Sequence, residues 1–195
     1  AHAAAVDDIL ELLDAGECYQ VNLTRRLCAA QSADPVGLYL ALDQANPAPH
    51  GALCTFGALL PSLALVSASP ELFLAVDGRT VTTRPIKGTA VDRATLAASA
   101  KDHAENVMIV DLARNDLGRV CEYGSIRVPE LCAVESHPGL HHLVSTVTGT
   151  LRAEVGLDAL GRATFPPAAV TGAPKPRVLQ AIEDGYPQKA SEEEA

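Results

Sequence analysis

The sequence predicts an α+β fold, mainly of antiparallel sheets packed with helices, and two observations support this prediction. Short runs of alternating apolar and polar residues follow one another from Ala52 to Thr89, with only turns between them. Such spacing is typical of antiparallel strands and not of βαβ units. Segments with apolar residues at helical spacing lie on either side of this block, so helices can cover the sheets.

The N-terminal elements follow from the same two periodicities. Apolar residues at helical spacing predict a helix from Ala3 to Leu13, with Gly16 as a suitable stop. Alternation from Tyr19 to Thr24 then predicts a strand, and its polar face carries Gln20 and Asn22, which face either a ligand or solvent. A second helix is predicted from Pro35 to Gln44, and strands are predicted from Ala52 to Leu60 and from Leu63 to Ser67.

A predicted β-hairpin has an acid and an amine at its open end. Its two runs are joined at residues 77–78 by Asp-Gly, a dipeptide typical of two-residue hairpin loops. In the simplest register Glu71 pairs with Arg84, which leaves Lys87 within roughly 10 Å of Glu71. Pro85 lacks an N–H and should release the chain from the sheet, so that Lys87 projects from a loop. From the residues alone, an active site and a surface ion pair both remain open.

The segment from Thr95 to Ala113 has helical periodicity and carries an acidic residue in its apolar part. Glu105 falls on the same side of the helical wheel as Met108, and apolar residues also occupy the other side, so we expect the middle of this helix to be buried. A buried carboxylate needs a partner, and both an ion pair and a metal would satisfy it. The following string ARNDLGRV predicts a polar turn that ends the helix at Gly118.

The C-terminal third contains short strands and a final helix. Strands are predicted from Ser125 to Val128 and from Leu143 to Val147, and the neighbouring His141 and His142 should point to opposite faces. Residues 171–174 precede an apolar-periodic helix, with Thr171 as the predicted N-cap. Amides at a helix start can hold a carboxylate or phosphate, or simply belong to a capped helix. The polar residues 188–195 are predicted to be frayed.

The composition indicates a globular domain and excludes several function classes. The 195 residues are 48% hydrophobic, have a net charge of −9 and lack tryptophan, which argues against sequence-independent nucleic-acid binding. No stretch approaches the roughly 20 apolar residues of a membrane-spanning helix. The five cysteines form no CxxC pair, so we expect no zinc site or disulfide framework, and expect all five to be small buried residues in a reducing cytoplasm.

Several strings, taken together, carry a resemblance to a known family. They read YQVNLT, SPELF, RPIKGT, AKDHAENVMIVDLARNDLGRV, VESHPGLHHLVSTV and FPPAAVTGAPK. In this order they resemble the chorismate-utilising enzymes, and within them the aminodeoxychorismate synthase component I branch, from about Gly16 to Ile182. The resemblance implies an anthranilate-synthase component I-like chorismate-binding fold. It also implies that residues 1–195 are part of a single chorismate-binding catalytic domain.

Two positions imply the reaction. Lys87 stands where aminodeoxychorismate synthases have a nucleophile that adds to C2 of chorismate, and where anthranilate synthases have alanine. Gln20 stands where isochorismate- and salicylate-forming enzymes have a lysine base, and a glutamine cannot take a proton from water. The resemblance therefore implies amination of chorismate to 4-amino-4-deoxychorismate, for p-aminobenzoate and folate synthesis, with ammonia from a glutamine amidotransferase subunit. Anthranilate formation and a non-catalytic chorismate-binding remnant remain alternatives.

The resemblance also assigns the remaining site residues. Glu71 is expected to be the general acid/base at the C4 hydroxyl, and Glu105 a magnesium ligand. His142 corresponds to the family's site histidine, and the amides of Thr171, Gly172 and Ala173 to the loop that receives substrate carboxylate oxygens. Family members also have a longer N-terminal region and a C-terminal portion with a second glutamate ligand for magnesium. We therefore expect this sequence to cover part of a longer protein.

Overall fold

The computed structural model describes residues 2–24, 26–30, 34–137 and 139–184. The helices are α1 (His2–Asp14), α2 (Pro35–Ala45), α3 (Arg93–Ala98), α4 (Ala100–Gly118), α5 (Leu157–Thr164) and α6 (Lys175–Glu183). The strands are β1 (Gln20–Val21), β2 (His50–Phe56), β3 (Leu60–Ser69), β4 (Leu72–Asp77), β5 (Thr80–Arg84), β6 (Ile86–Ala90), β7 (Arg127–His137), β8 (Leu140–Thr150) and β9 (Gly172–Ala173). The residues predicted to be frayed, 188–195, lie outside the described residues.

The main sheet is antiparallel and is built around β8. One edge of β8 pairs with β5 and then with β6, and its other edge pairs with β7. β4 completes the five strands by pairing with β5. Two small antiparallel pairs, β2 with β3 and β1 with β9, lie outside this sheet. Antiparallel strands and helices therefore combine as the sequence predicts.

The β4–β5 hairpin forms, but its loop lies one residue later than predicted, which shifts the pairing by two residues next to the turn and by one residue at Leu72. Asp77 pairs with Thr80 and Leu72 pairs with Arg84, so Glu71 does not pair with Arg84. The two loop residues are 78–79 because Gly78, with φ +57°, takes the left-handed conformation at the first loop position. The pairing also shifts between Leu72 and Ala75.

Pro85 does not release the chain from the sheet, and this prediction was wrong. β5 and β6 lie on either side of Pro85, and both pair with β8. The Pro85 carbonyl accepts a hydrogen bond from the Ser145 amide at 3.1 Å, so the missing N–H of proline does not interrupt the pairing. Lys87 consequently lies in a strand, next to an irregularity at Gly88, which has φ +95°.

Three other strand predictions need correction. The predicted strand 19–24 is reduced to Gln20–Val21. The turn between β2 and β3 is centred on residues 57–59, where Gly57 has φ +52°, and not on the proline at position 61. β7 is far longer than the predicted Ser125–Val128. Its pairing with β8 shifts twice, and each shift interrupts the side-chain alternation by which a strand is predicted from sequence.

The predicted helix 95–113 is two helices. Ser99 separates α3 from α4 and caps α4 by accepting a hydrogen bond from the Asp102 amide at 3.2 Å. α4 continues through the polar string to Gly118, which is the predicted end, because its buried Leu117 packs into the core. At the final helix the N-cap is Pro174 and not Thr171. The Thr171 hydroxyl instead donates to the Pro167 carbonyl at 3.1 Å.

The core lies between the main sheet and helices α4 and α5. Its buried members are Val81, Val110, Leu117, Val120, Cys121, Val147, Leu151, Leu160 and Ala163. All five cysteines are free, but Cys28 and Cys54 are exposed. The prediction of five buried cysteines is therefore confirmed for Cys18 and Cys121, while Cys132 is only partly buried. It is wrong for Cys28, which lies in a loop, and for Cys54, which lies on β2. No helix in the described ranges is long and apolar enough to span a membrane.

Gly172 is required by a close backbone approach. It has φ +144°, and a Cβ at this position would lie 2.2 Å from the Gln20 carbonyl oxygen. We expect Gly172→Ala to separate β1 from β9 and to lower the melting temperature measured by circular dichroism. Gly161→Ala is the control, since a Cβ there meets no atom within 4 Å, and it should raise the unfolding free energy by about 0.5–1 kcal/mol. Equal melting temperatures for the two variants would contradict this reading.

Candidate active site

Glu71 and Lys87 lie close enough to interact. Burial raises the pKa of the Glu71 carboxyl, and this effect exceeds the opposing effects of a hydrogen bond from the Ile86 amide and the charge of Lys87. Hydrogen bonds between Ser69 and the Glu71 backbone fix the start of β4. The strands therefore present a carboxyl with a raised pKa near an amine, which suits general acid catalysis.

Glu71 lines a small cavity between the main sheet and α4. The cavity has a volume of about 40 Å³, and its apolar walls include Phe73, Ile109 and Leu112. This space is enough for a water molecule beside the carboxyl. The apolar walls explain why burial dominates the pKa of Glu71, and Phe73 supplies part of that setting.

Gln20 and residues 171–173 are brought together by the pairing of β1 with β9. Gln20 pairs with Ala173, and Val21 pairs with Gly172. The Tyr19 amide donates to the Ala173 carbonyl at 2.7 Å, and the Asn22 amide donates to the Thr171 carbonyl at 2.8 Å. The two segments are about 150 residues apart in the sequence, and sequence periodicity did not predict their contact.

The β1–β9 pair is connected to residues that line the same cavity as Glu71. The Asn22 side chain donates to the Ala169 carbonyl at 3.0 Å, and the Thr171 hydroxyl donates to the Pro167 carbonyl at 3.1 Å. Ala169 and Pro167 both line the cavity. Glu71 and the β1–β9 pair therefore flank one region of the molecule.

His142 lies on β8, and strand alternation places it on the opposite face from Ser145, whose hydroxyl contacts α4. Its Nδ1 is 2.9 Å from the Thr89 hydroxyl, and its ring centroid is 5.2 Å from that of His137. Burial lowers the pKa of His142, as does the charge of His137, whereas Glu135 acts in the other direction. The described contacts do not join His142 to Glu71.

The predicted burial of the middle of this helix is confirmed at Ile109 and Val110 but is wrong at Glu105 and Val107. The Glu105 side chain is 41% exposed and lies 3.8 Å from the Lys101 ammonium, while Val107 is 48% exposed. Within the described ranges no group of three or more His, Cys, Asp and Glu residues could hold a metal. Magnesium is often held by one or two carboxylates with substrate and water oxygens. Glu105 can provide one such ligand.

Sequence reasoning missed a buried ion pair between α4 and α6. The Lys175 ammonium lies 2.7 Å from Asp116 and also donates to the carbonyls of Ala163 at 3.1 Å and Thr164 at 3.4 Å. Burial raises the pKa of Asp116, and Lys175 offsets part of that effect. Asp116 lines the same cavity as Glu71. Both partners occur in the strings LARNDLGRV and VTGAPK, but periodicity cannot pair residues on separate helices.

The comparison with known proteins defines the class of this chain. Residues 1–189 match the family of chorismate binding enzymes. The chain therefore belongs to this family.

Particular relatives are similar over most of the chain. It is 46% identical over 191 residues to aminodeoxychorismate synthase component 1 of Escherichia coli (strain K12), covering 93% of this chain and 41% of the relative. It is 41% identical over 194 residues to anthranilate synthase component 1 3 of Haloarcula marismortui, covering 94% of this chain and 38% of that protein. The crystal structure of anthranilate synthase component I from Streptococcus pneumoniae TIGR4 matches with a TM-score of 0.80 and 32% identity, covering 93% of this chain and 41% of that one.

The ion pair between Asp116 and Lys175 provides a test of packing around the cavity. We expect Lys175→Met to lower the unfolding free energy by about 3–5 kcal/mol, because it leaves a buried carboxylate without its partner. Arg114→Met is the control on α4, the helix that carries Asp116, since Arg114 and Asp111 form an exposed ion pair. This variant should lower the unfolding free energy by less than about 1 kcal/mol. Urea unfolding measures both values, and similar losses for the two variants would refute the structural importance of the buried pair.

The raised pKa of Glu71 predicts a pH-dependent effect of Glu71→Gln. The folded protein binds the Glu71 proton more tightly than the unfolded chain does. The Glu71 carboxyl therefore makes the folded protein less stable as the pH rises from 4.5, the ordinary pKa of a glutamate, through the higher pKa of Glu71 in the folded protein. The melting temperature of Glu71→Gln minus that of the wild type should therefore increase from pH 4 to pH 7.5. Asp92→Asn is a control of opposite sign, because hydrogen bonds from Thr95 lower the pKa of Asp92. If the difference for Glu71→Gln falls with rising pH, the proposed electrostatics are wrong.

Proposed function

We propose that the protein acts as component I of aminodeoxychorismate synthase and converts chorismate and ammonia into 4-amino-4-deoxychorismate. The observation that carries the proposal is the presence of Lys87 near the half-buried Glu71, whose pKa is raised by burial. The 46% identity to a relative named aminodeoxychorismate synthase component 1 supports it. The chain spans 41% of that relative, and we propose that it is part of a single chorismate-binding catalytic domain.

Lys87 and Glu71 account for the two covalent changes. The Lys87 amine forms a bond to C2 of chorismate, both ring double bonds shift, and the C4 hydroxyl leaves as water with a proton from Glu71. Ammonia then forms a bond to C4, the ring double bonds shift back, and the bond between C2 and the Lys87 nitrogen breaks, which releases the amine. The Glu71 carboxylate takes one proton from the nitrogen added at C4, which restores the acid. The raised pKa of Glu71 fits this order, because the residue must carry a proton when the hydroxyl leaves.

The other predicted residues have binding roles. Gln20 lies on the β1–β9 pair with Thr171, Gly172 and Ala173, where the polar groups of this pair bind the substrate. Gln20 cannot activate water as a base, which favours amination over hydroxylation.

His142 and the metal site complete the proposal. His142 contacts the substrate from the edge of β8 near Thr89. Glu105 is the ligand for magnesium, which would supply positive charge to the substrate carboxylate when bound. The partial exposure of Glu105 is consistent with that role.

The ammonia comes from a glutamine amidotransferase subunit, and the product serves p-aminobenzoate and folate synthesis in the cytoplasm. The word component in the name of the relatives supports a partner subunit. The free cysteines of this chain support a reducing compartment.

Anthranilate formation is the second candidate. It is favoured by the 0.80 TM-score to an anthranilate synthase component I and by relatives of that name at 41% identity. Lys87 argues against it, because a nucleophile held beside Glu71 has no role in that reaction.

The product formed from chorismate tests the proposal. The full-length protein, incubated with chorismate, magnesium and an ammonium salt, should form 4-amino-4-deoxychorismate, detected by chromatography with mass spectrometry. We expect Lys87→Ala to lower kcat by at least about 100-fold, because it removes the nucleophile. Arg114→Ala is the control, since Arg114 lies on α4 in an exposed ion pair with Asp111. Anthranilate as the sole product, or full activity of Lys87→Ala, would refute the proposal.

A further inference from the structure

Asn106 is a buried amide whose hydrogen-bonding capacity is fully used inside the protein. It follows Glu105 on α4 and is 1% exposed. Its Nδ2 donates to the carbonyls of Leu143 at 2.9 Å and Lys87 at 3.4 Å. Its Oδ1 accepts from the Ser145 hydroxyl and, at 3.6 Å, from the Cys132 thiol. A side-chain amide has two donor hydrogens and two acceptor lone pairs, so each of them has a partner.

These bonds join α4 to three strands of the main sheet. Lys87 is on β6, Leu143 and Ser145 are on β8, and Cys132 is on β7. Cys132 has the left-handed φ of 55° and donates its amide to the Ser145 hydroxyl at 2.8 Å. The irregular backbone of β7 therefore brings the partly buried Cys132 to the buried Asn106 and Ser145, and we call these three residues the Asn106 cluster (Asn106, Cys132 and Ser145).

Asn106 contacts or adjoins the backbone at or next to three predicted site residues. It binds the carbonyl of Lys87 itself, and it binds the carbonyl of the residue that follows His142. Glu105 is its neighbour on the helix. Because the site is buried, water cannot replace these bonds when one is lost, and the freed carbonyls carry the full desolvation cost.

We propose that Asn106 is a positioning residue, which sets the separation of Lys87 and Glu105 by clamping α4 onto β6 and β8. This proposal rests on the proposed amination of chorismate. Only an amide provides two donors and two acceptors at this point. Aspartate lacks the donors and would place a carboxylate against the carbonyls of Lys87 and Leu143, and alanine would leave both carbonyls unpaired.

The experiment compares Asn106→Ala and Asn106→Asp with Leu160→Ala in the full-length protein. Leu160 is 2% exposed and lies on α5, so its truncation also destabilises the core but leaves the Asn106 cluster intact. We expect both Asn106 variants to lower kcat for chorismate by about 100-fold per folded molecule, because displacement of a reacting group by about 1 Å has that effect. Leu160→Ala should keep the wild-type kcat and KM once the folded fraction is taken into account.

A second measurement separates this proposal from the proposed function. Without substrate, the rate at which an amine-reactive reagent modifies Lys87 is measured by peptide mass spectrometry, with the exposed Lys101 as internal reference. The ratio of the two rates should change at least about threefold in the Asn106 variants and stay at the wild-type value in Leu160→Ala. If the wild type forms no aminodeoxychorismate but this ratio changes as stated, the proposed function fails and the positioning of Lys87 by Asn106 stands. An unchanged ratio in both Asn106 variants would overturn the positioning role.

Discussion

Backbone pairing along both edges of β8 is the constraint on which the candidate site depends. One edge pairs with β5 and β6. β5 holds β4, whose start carries Glu71, and β6 contains Lys87. The other edge holds the irregular β7. Since a sheet ladder determines the relative position of every strand that joins it, β8 sets the distance between the acid and the amine. The buried residues of β8, among them Val144 and Val147, keep this strand in the interior.

Two buried polar contacts then fix α4 against this sheet and against the C-terminal elements. Asn106 attaches the first half of α4 to β6 and β8. Asp116 attaches its last turn to Lys175, the first residue of α6, two residues after β9. In a low-dielectric interior such bonds are strong when complete and costly when one partner is lost. The helix consequently has little freedom to slide between the Glu71 region and the β1–β9 pair.

Local patterns predicted the elements better than their connections. The hairpin was found from its Asp-Gly turn, but its register was wrong because the left-handed residue is Gly78 at the first loop position. Pro85 was read as a strand end because local rules consider its missing N–H, whereas its carbonyl completes the pairing with Ser145. β7 was largely missed because its two pairing shifts interrupt the alternation that identifies strands. The closeness of Glu71 and Lys87 was predicted correctly, since sequence-adjacent strands determine it.

The sequence by itself determined the fold class, the family resemblance and the chemical types available at the site, because each is carried by short strings and local periodicity. The tertiary structure alone decided which strings meet. It paired Gln20 with Ala173, joined Asp116 to Lys175, and placed Asn106 against the carbonyl of Lys87. It also left Glu105 half exposed on a helix that periodicity had suggested was buried. Burial and long-range pairing depend on every element packed together, and no single stretch of sequence contains that information.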